Sequence, residues 1–313
     1  MYSHLIISGG GIKGIAIIGV LKVLFKNNLI NNLEGYIGSS VGGLICFLLN
    51  IGYTYVELKH IIFNINFSEY RNINISNIFN NWGLDNCDNL MKLIMAIIKQ
   101  KNISYDITFK QLYEKTNKEL VLTGSELIKN EIKYYSYKET PDMKILEAIR
   151  ITISYPIIFN PIKKNIISNN IDIDNINNND INNDDINNEN NNITADNIDI
   201  NKEILVDGGL FAPYPMEYFK DIKNKIGIII HSNNINNIID SEDYLINIIK
   251  CLTIRYEKIF LKDYVEDTII IDLKNIYSMN FELSDNDKNE IYKIGINTAE
   301  KYINDNKSDL KKE

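Results

Sequence analysis

Three short stretches combine residue types that could do chemistry. The first is Gly9-Gly10-Gly11-Ile12-Lys13-Gly14, placed directly after an apolar run and at the start of a helical pattern. Glycines let a ligand or intermediate approach the backbone, and a helix N-terminus offers free N–H groups to something anionic. A turn needing glycine only for steric reasons would not need three in succession. The second is Gly38-Ser39-Ser40-Val41-Gly42, a G-x-S-x-G frame with a strand pattern before it and a helical pattern after it. A sharp strand-to-helix turn requires small flanking residues and projects the central hydroxyl. Only Ser40 fits that frame; Ser39 occupies its variable position. A nucleophile at Ser40 and an oxyanion hole in the glycine loop would together suit acyl transfer. The third is Val206-Asp207-Gly208-Gly209, an acid ending a buried strand. Such an Asp suits a turn as well as it suits a functional carboxylate.

A serine nucleophile needs a base. The chain has three histidines, His4, His60 and His231, and none falls in a recognisable motif. Each is expected to be an ordinary exposed or packed side chain, which leaves Asp207 as the candidate base. The glycine loop also matches G-x-G-x-x-G, and Glu34 lies near the offset of a ribose-binding acid, so an NAD(P)-binding oxidoreductase is a rival reading. Against it, Glu34 precedes the apolar pair Tyr36-Ile37 and starts its strand, whereas the ribose acid should end one. No calcium loop or clustered metal ligands are found, and no metal or other cofactor is expected.

The elements that must position these residues read as an α/β chain. Strands are expected at His4–Ser8, Glu34–Gly38, Glu119–Thr123, Glu131–Tyr137, Glu203–Val206, Lys225–His231 and Thr268–Leu273. Helices are expected at Lys13–Asn28, Val41–Gly52, Tyr55–Ile65, Cys87–Gln100, Thr108–Thr116, Asp142–Thr152, Glu242–Asp263 and Asp285–Asn304. Ser68–Asp85, which holds the single Trp82, reads as loop. Strand, glycine turn, helix, strand, tight turn, helix is the grammar of a parallel sheet.

Asn165–Asn201 interrupts this pattern. Sixteen of its 37 residues are asparagine, it has no aromatics, and it reads as a disordered insertion rather than a linker between domains. The expected organisation is one domain over residues 1–313, with a core at about 4–220 and a C-terminal part, 221–313, belonging to it. The chain has a net charge of −8, and eight of its acids lie in the insertion. Without those eight, 33 acids face 33 bases. The net charge of −8 argues against a chain built mainly to grip nucleic-acid phosphates, while the neutral remainder means that the acidity says nothing about an active surface. Three scattered cysteines support neither a disulfide framework nor a zinc site. A reducing compartment, no signal peptide and no spanning helix are expected, hence a cytoplasmic protein peripheral to membranes.

The glycine loop, Gly38–Gly42 and Asp207-Gly208-Gly209, in this order, resemble the patatin-like phospholipase family. Glu147–Pro161 resembles the family's segment before the aspartate, and Phe281-Glu282-Leu283-Ser284 with the helix after it resembles its C-terminal portion. The resemblance implies a three-layer α/β/α fold with a mostly parallel central sheet. It implies a Ser-Asp dyad, with Ser40 as nucleophile and Asp207 as base. Backbone N–H groups of Gly9, Gly10, Gly11 and Gly14 would form the oxyanion hole, and Gly38, Gly42, Gly208 and Gly209 would support the motifs. The implied reaction is hydrolysis of fatty-acyl esters of phospholipids at a membrane surface through an acyl-enzyme, with no metal required. A neutral-lipid esterase and a catalytically dead lipid-binding module are the alternatives of the same fold. Two departures stand out. Ser8 replaces an acid before the glycines, and Pro213 stands where the family commonly has Asn. Substrate access is expected to involve the apolar segments between Tyr55 and Gln100, for which core packing is an equal explanation.

Overall fold

The computed structural model describes residues 1–165, 202–231, 241–273 and 283–306. Strand β1 (His4–Ile7) is buried along its length and gives way, through the glycines and a 3-10 turn at Gly11–Lys13, to helix α1 (Gly14–Lys26). Strand β2 (Gly35–Gly38) leads into α2 (Val41–Asn50), and α3 (Tyr55–Asn64) is opened by a capping box between Thr54 and Glu57. Next come α4 (Asn77–Asn81), β3 (Gly83–Asp85), α5 (Asp88–Lys99), α6 (Phe109–Thr116), β4 (Glu119–Glu126) and β5 (Glu131–Tyr135). They are followed by α7 (Ile145–Thr152), β6 (Ile157–Phe159) and β7 (Ile162–Asn165). The remaining elements are β8 (Lys202–Asp207), β9 (Lys225–His231), α8 (Ser241–Leu261), β10 (Thr268–Asp272) and α9 (Asp285–Asp305). The asparagine-rich stretch thus begins at the last residue of β7. Its remainder, 166–201, lies outside the described residues, as do Phe281 and Glu282.

The main sheet has the order β10-β9-β1-β2-β4-β8-β7, with β5 also on β4. The five strands from β10 to β4 pair in parallel, and β5, β8 and β7 add antiparallel pairings. The parallel core expected from sequence is present, with an antiparallel flank that carries Asp207.

Side chains alternate across this sheet, as a period of two requires. Leu5, Ile7, Leu120, Leu122, Ile226 and Ile228 join the larger core, together with residues of α1, α2, α5 and α7. Ile6, Ile37, Val121 and Ile229 face the other way, against Tyr214, Met216, Phe219 and, from beyond α8, Tyr264. Among the described residues the outer layer on that side is thinner. It is built largely from a 3-10 turn at Met216–Phe219 and the end of α8.

Two elements refine the sequence reading. Ser68–Asp85 is not all loop: it holds α4 and β3, and β3 pairs in parallel with β6 in a separate two-stranded sheet. On the helical side, α1 packs on α9 at backbone distance. A Cβ on Gly19 would lie 2.2 Å from the Tyr292 carbonyl oxygen, and one on Gly295 would lie 1.9 Å from that of Ala16. Among the described residues no helix is long and apolar enough to cross a membrane.

Candidate active site

Strand register brings the three motifs together. His4 pairs with Gly35 and Ile7 with Gly38, so the glycine loop and the Ser40 turn leave the sheet at the same end. Gly38 pairs with Leu122, and two residues further along β4 Gly124 pairs with Asp207. Asp207 thus arrives, on an antiparallel strand, at the carboxyl ends of β2 and β4, where ligands of open α/β sheets bind. Glu34 lies at the opposite end, beside His4, far along the strand from the glycine loop. The dinucleotide reading finds no ribose acid there.

The turn at Ser40 is a strained one. Ser40 has φ 54° and ψ −132°, a conformation costly for a residue with a Cβ. The flanking glycines follow from crowding: a Cβ on Gly42 would sit 2.3 Å from the Ser8 carbonyl oxygen, and one on Gly38 would sit 2.4 Å from Gly42. Ser40 N–H donates to Thr152 Oγ1 at 3.0 Å, which ties the turn to the end of α7. Its neighbour has another task. The buried Ser39 hydroxyl shares a 2.6 Å hydrogen bond with Thr123 and donates to the Ala212 carbonyl at 2.5 Å.

Asp207 is buried. Its Oδ1 accepts from the Gly209 N–H at 2.6 Å, while Oδ2 has no hydrogen bond of ordinary geometry. Burial pushes its carboxyl up to about 7; the Ser40 hydroxyl and the Gly209 N–H oppose that shift. Its backbone is fixed as well, by Asp207 N–H to the Ser154 carbonyl and Ser125 Oγ to the Asp207 carbonyl, both at 2.9 Å. A carboxyl poised near neutrality beside a strained serine hydroxyl suits proton exchange.

Both departures from the family pattern have structural consequences. Ser8 donates through Oγ to the Gly9 carbonyl and accepts from Ile230 N–H, each at 3.0 Å, so it ties the glycine loop to β9. The carbonyl of Pro213 accepts from Gly9 N–H at 3.2 Å. The segment after Asp207 therefore anchors the loop through backbone, a contact that does not need an Asn side chain.

Two cavities meet at Ser40, and Gly11 and Tyr155 line both. The first, with about 820 Å³ of empty space including its open mouth, is also lined by Gly9, Gly10, Lys13, Asp207, Gly209 and the inner face of α8. That face presents Lys250, Thr253 and Glu257 at helical spacing. The second, with about 690 Å³, is lined by Ile12, Gly14, Ile15, Val41, Leu44, Ile62, Phe67, Leu90, Ile153 and Phe159.

The sequence-predicted residues Ser40, Asp207 and the glycine loop are thus brought together, but the Gly9 N–H is taken by the Pro213 carbonyl and the Gly14 N–H by the Gly11 carbonyl, so neither serves as the oxyanion donor expected from the sequence. Lys13, Lys250, Glu257, Thr152 and Tyr155 were not foreseen in this role. Burial, then Lys250, pushes the Lys13 ammonium down to about 8, with Glu257 opposing. His4 packs edge-on against Phe219, and His60 is exposed on α3. His231 bonds Glu257 through Nδ1 at 2.5 Å. That pair joins residues 26 apart, a link no local motif could announce.

The family model described as Patatin-like phospholipase matches residues 5–220. "Probable lipid hydrolase 463L" of Invertebrate iridescent virus 6 is 36% identical over 167 residues, covering 52% of this chain and 56% of that protein. "Uncharacterized protein R571" of Acanthamoeba polyphaga mimivirus is 27% identical over 318 residues, covering 96% and 93%. Among solved structures, VipD from Legionella pneumophila superposes with a TM-score of 0.55 at 14% identity, over 97% of this chain and 67% of VipD. The type III effector ExoU gives a TM-score of 0.51 at 14% identity, over 97% of this chain and 53% of ExoU. At such identity the two structures speak to the fold. The chain spans little more than half the length of the viral lipid hydrolase and of ExoU.

Proposed function

Since the chain belongs to the patatin-like phospholipase family, we propose that it is a serine acyl hydrolase that cleaves fatty-acyl esters of phospholipids with a Ser40–Asp207 dyad. The observation that carries this reading is the convergence, at one end of the sheet, of a strained half-exposed serine, a buried carboxyl raised towards neutrality and the glycine loop.

In this mechanism Ser40 Oγ attacks the ester carbonyl while Asp207 takes the hydroxyl proton. The tetrahedral oxyanion is held by backbone N–H groups of the loop around Gly10 and Gly11, at a helix start where such groups lack intrahelical acceptors. Collapse breaks the ester C–O bond, and Asp207 returns its proton to the departing alcohol. Water then attacks the acyl-enzyme, again giving a proton to Asp207. That proton goes back to Ser40 Oγ as the fatty acid leaves. The acyl chain lies in the apolar cavity. The polar cavity takes the glycerol and headgroup, where Lys13 and Lys250 favour a phosphate-bearing lipid over a neutral one.

Labelling with a fluorophosphonate serine-hydrolase probe, followed by mapping of the adduct, tests the assignment. Modification of Ser40 is expected. A folded protein labelled elsewhere, or not at all, overturns it. A histidine base has one observation in its favour, the Glu257–His231 pair at the edge of the polar cavity. His231→Gln should spare most activity if Asp207 is the base.

A further inference from the structure

Residues 71–82, a segment that includes α4, present four large apolar side chains to solvent among the exposed neutral residues Asn72, Asn74, Ser76, Asn80 and Asn81. Ile73 is 56% exposed, Ile75 73%, Phe79 81% and Trp82 50%. The loop is tied at its base, where Asn74 N–H donates to the Leu84 carbonyl at 2.8 Å and Asn72 N–H to Asp85 Oδ2 at 2.6 Å. Ile78 packs inward on the main core, so the four exposed side chains are presented by a held segment. Between Tyr70 and Asp85 there is no acid, and Arg71 is the only charged residue of the sequence. A second cation comes from the side, the ammonium of Lys163 lying 3.5 Å from the centre of the Trp82 ring.

Clusters of this kind are unusual on a protein facing only water. The loop's position says what it faces. It springs from the rim of the apolar cavity, since Phe67 on its entry side and Phe159, on the strand paired to its exit strand β3, both line that cavity. A surface of large apolar side chains and neutral amides, with an indole and flanking cations and no carboxylates, matches the boundary between acyl chains and headgroups.

We propose that residues 71–82 are the segment that inserts into a lipid bilayer, bringing the mouth of the apolar cavity to the surface from which the acyl chain is drawn. The proposal rests on the lipid-hydrolase reading and names the face that meets the substrate's own phase.

Trp82 is the only tryptophan in the chain, so its fluorescence reports on this loop alone. The test uses the full chain carrying Ser40→Ala, to prevent hydrolysis, with vesicles of phosphatidylcholine alone or mixed with phosphatidylserine. Trp82 emission is expected to shift to the blue and to become quenched by lipids brominated in their acyl chains. Ile75→Ser with Phe79→Ser should weaken vesicle binding on the order of 100-fold, since two large apolar side chains no longer leave water. Val56→Ser is the control. Val56 is 57% exposed, but it opens α3 at the end of the molecule away from the site, and its variant should bind within about twofold of the parent.

Vesicle binding without any change in Trp82 emission overturns the proposal. So does binding left unaltered by the double substitution, or a double variant that is monomeric where the parent is dimeric, which would make a second copy the loop's partner. Chain melting of each variant is measured in parallel, and Phe79→Leu, which keeps an apolar side chain, should restore most binding to a folded Phe79→Ser protein. Failure of the function reading is separate: it would show as an unlabelled Ser40 with Trp82 insertion intact.

Discussion

The two cavities that meet at Ser40 are built by different means. The apolar one is walled by the first turns of α1 and α2 and by side chains from α3, α5 and the segment after α7, so it is an opening in the main core. The polar one lies between the glycine loop, the antiparallel strand end that carries Asp207, and one face of α8. It gathers Lys13, Lys250, Glu257 and Asp207, three of them buried. The difference teaches how one hydroxyl serves two phases. Chain binding draws on burial of CH₂ groups, while charge and proton movement are confined to the other side.

The sharpest way to break this division is to remove the hydroxyl on which both cavities converge. Ser40→Ala should lower ester hydrolysis by on the order of 10⁴-fold or more, with a circular dichroism spectrum like that of the parent. The contrasting substitution is Ser39→Ala. It leaves the Ala212 carbonyl and Thr123 hydroxyl without a buried partner, so it should cost about 1–3 kcal/mol in denaturant unfolding and reduce turnover far less.

Next in size is Asp207→Asn, which acts on the polar cavity alone. Loss of a general base costs roughly 10²–10⁴ in rate. The same change should stabilise the fold at alkaline pH. A carboxyl whose folded pKa is raised to about 7 binds a proton that the unfolded chain has already lost above about 4. Its contribution is therefore full at low pH and is lost as pH rises through about 7. Replacing it with neutral Asn removes that loss, worth roughly 1–4 kcal/mol at pH 8. Thermal melts at pH 5 and pH 8 check this: the variant's gain on the parent should be larger at the higher pH.

The pH profile sharpens the same point without a mutation. Because the base acts ionised, kcat/KM on an uncharged ester should climb about tenfold per pH unit up to about 7 and level off above it. A profile flat between pH 5 and 8 would remove Asp207 from the role.

The smallest effect is expected on the apolar side. Leu44→Trp narrows that cavity, so it should shift preference from long to short acyl esters by roughly tenfold in relative kcat/KM, leaving short-ester turnover near that of the parent. An equal loss on all chain lengths would mean that the acyl chain lies elsewhere.

Much of this was legible in the chain itself. Residues close in sequence announced β1 with its glycine loop, β2 with its strained turn, and the strand end bearing Asp207, because turn chemistry and hydrophobic period are local signals. What stayed hidden depends on distant partners. The strand Gly83–Asp85 has three residues and exists through its pairing with Ile157–Phe159, so no alternation could mark it. The polar lining of α8 looks like any amphipathic helix until β9 and the glycine loop are placed beneath it. Lys13 read as an ordinary member of a glycine motif, and it is burial, with Lys250 nearby, that makes its ammonium unusual.

The close seat of α1 on α9 has a consequence for the order of events during synthesis. Gly19 and Gly295 are about 280 residues apart, yet each needs the other's helix to cover its backbone. At roughly 5–20 residues per second, the first helix waits roughly 14–55 s for its partner to be made. During that interval the face of α1 that will meet α9 lies open, directly beneath the loop that must shape the catalytic end of the sheet. Native activity is therefore expected to emerge only after α9 leaves the ribosome. Nascent chains arrested before Asp285 should remain inactive and bind holdase chaperones, whereas full-length chains should not.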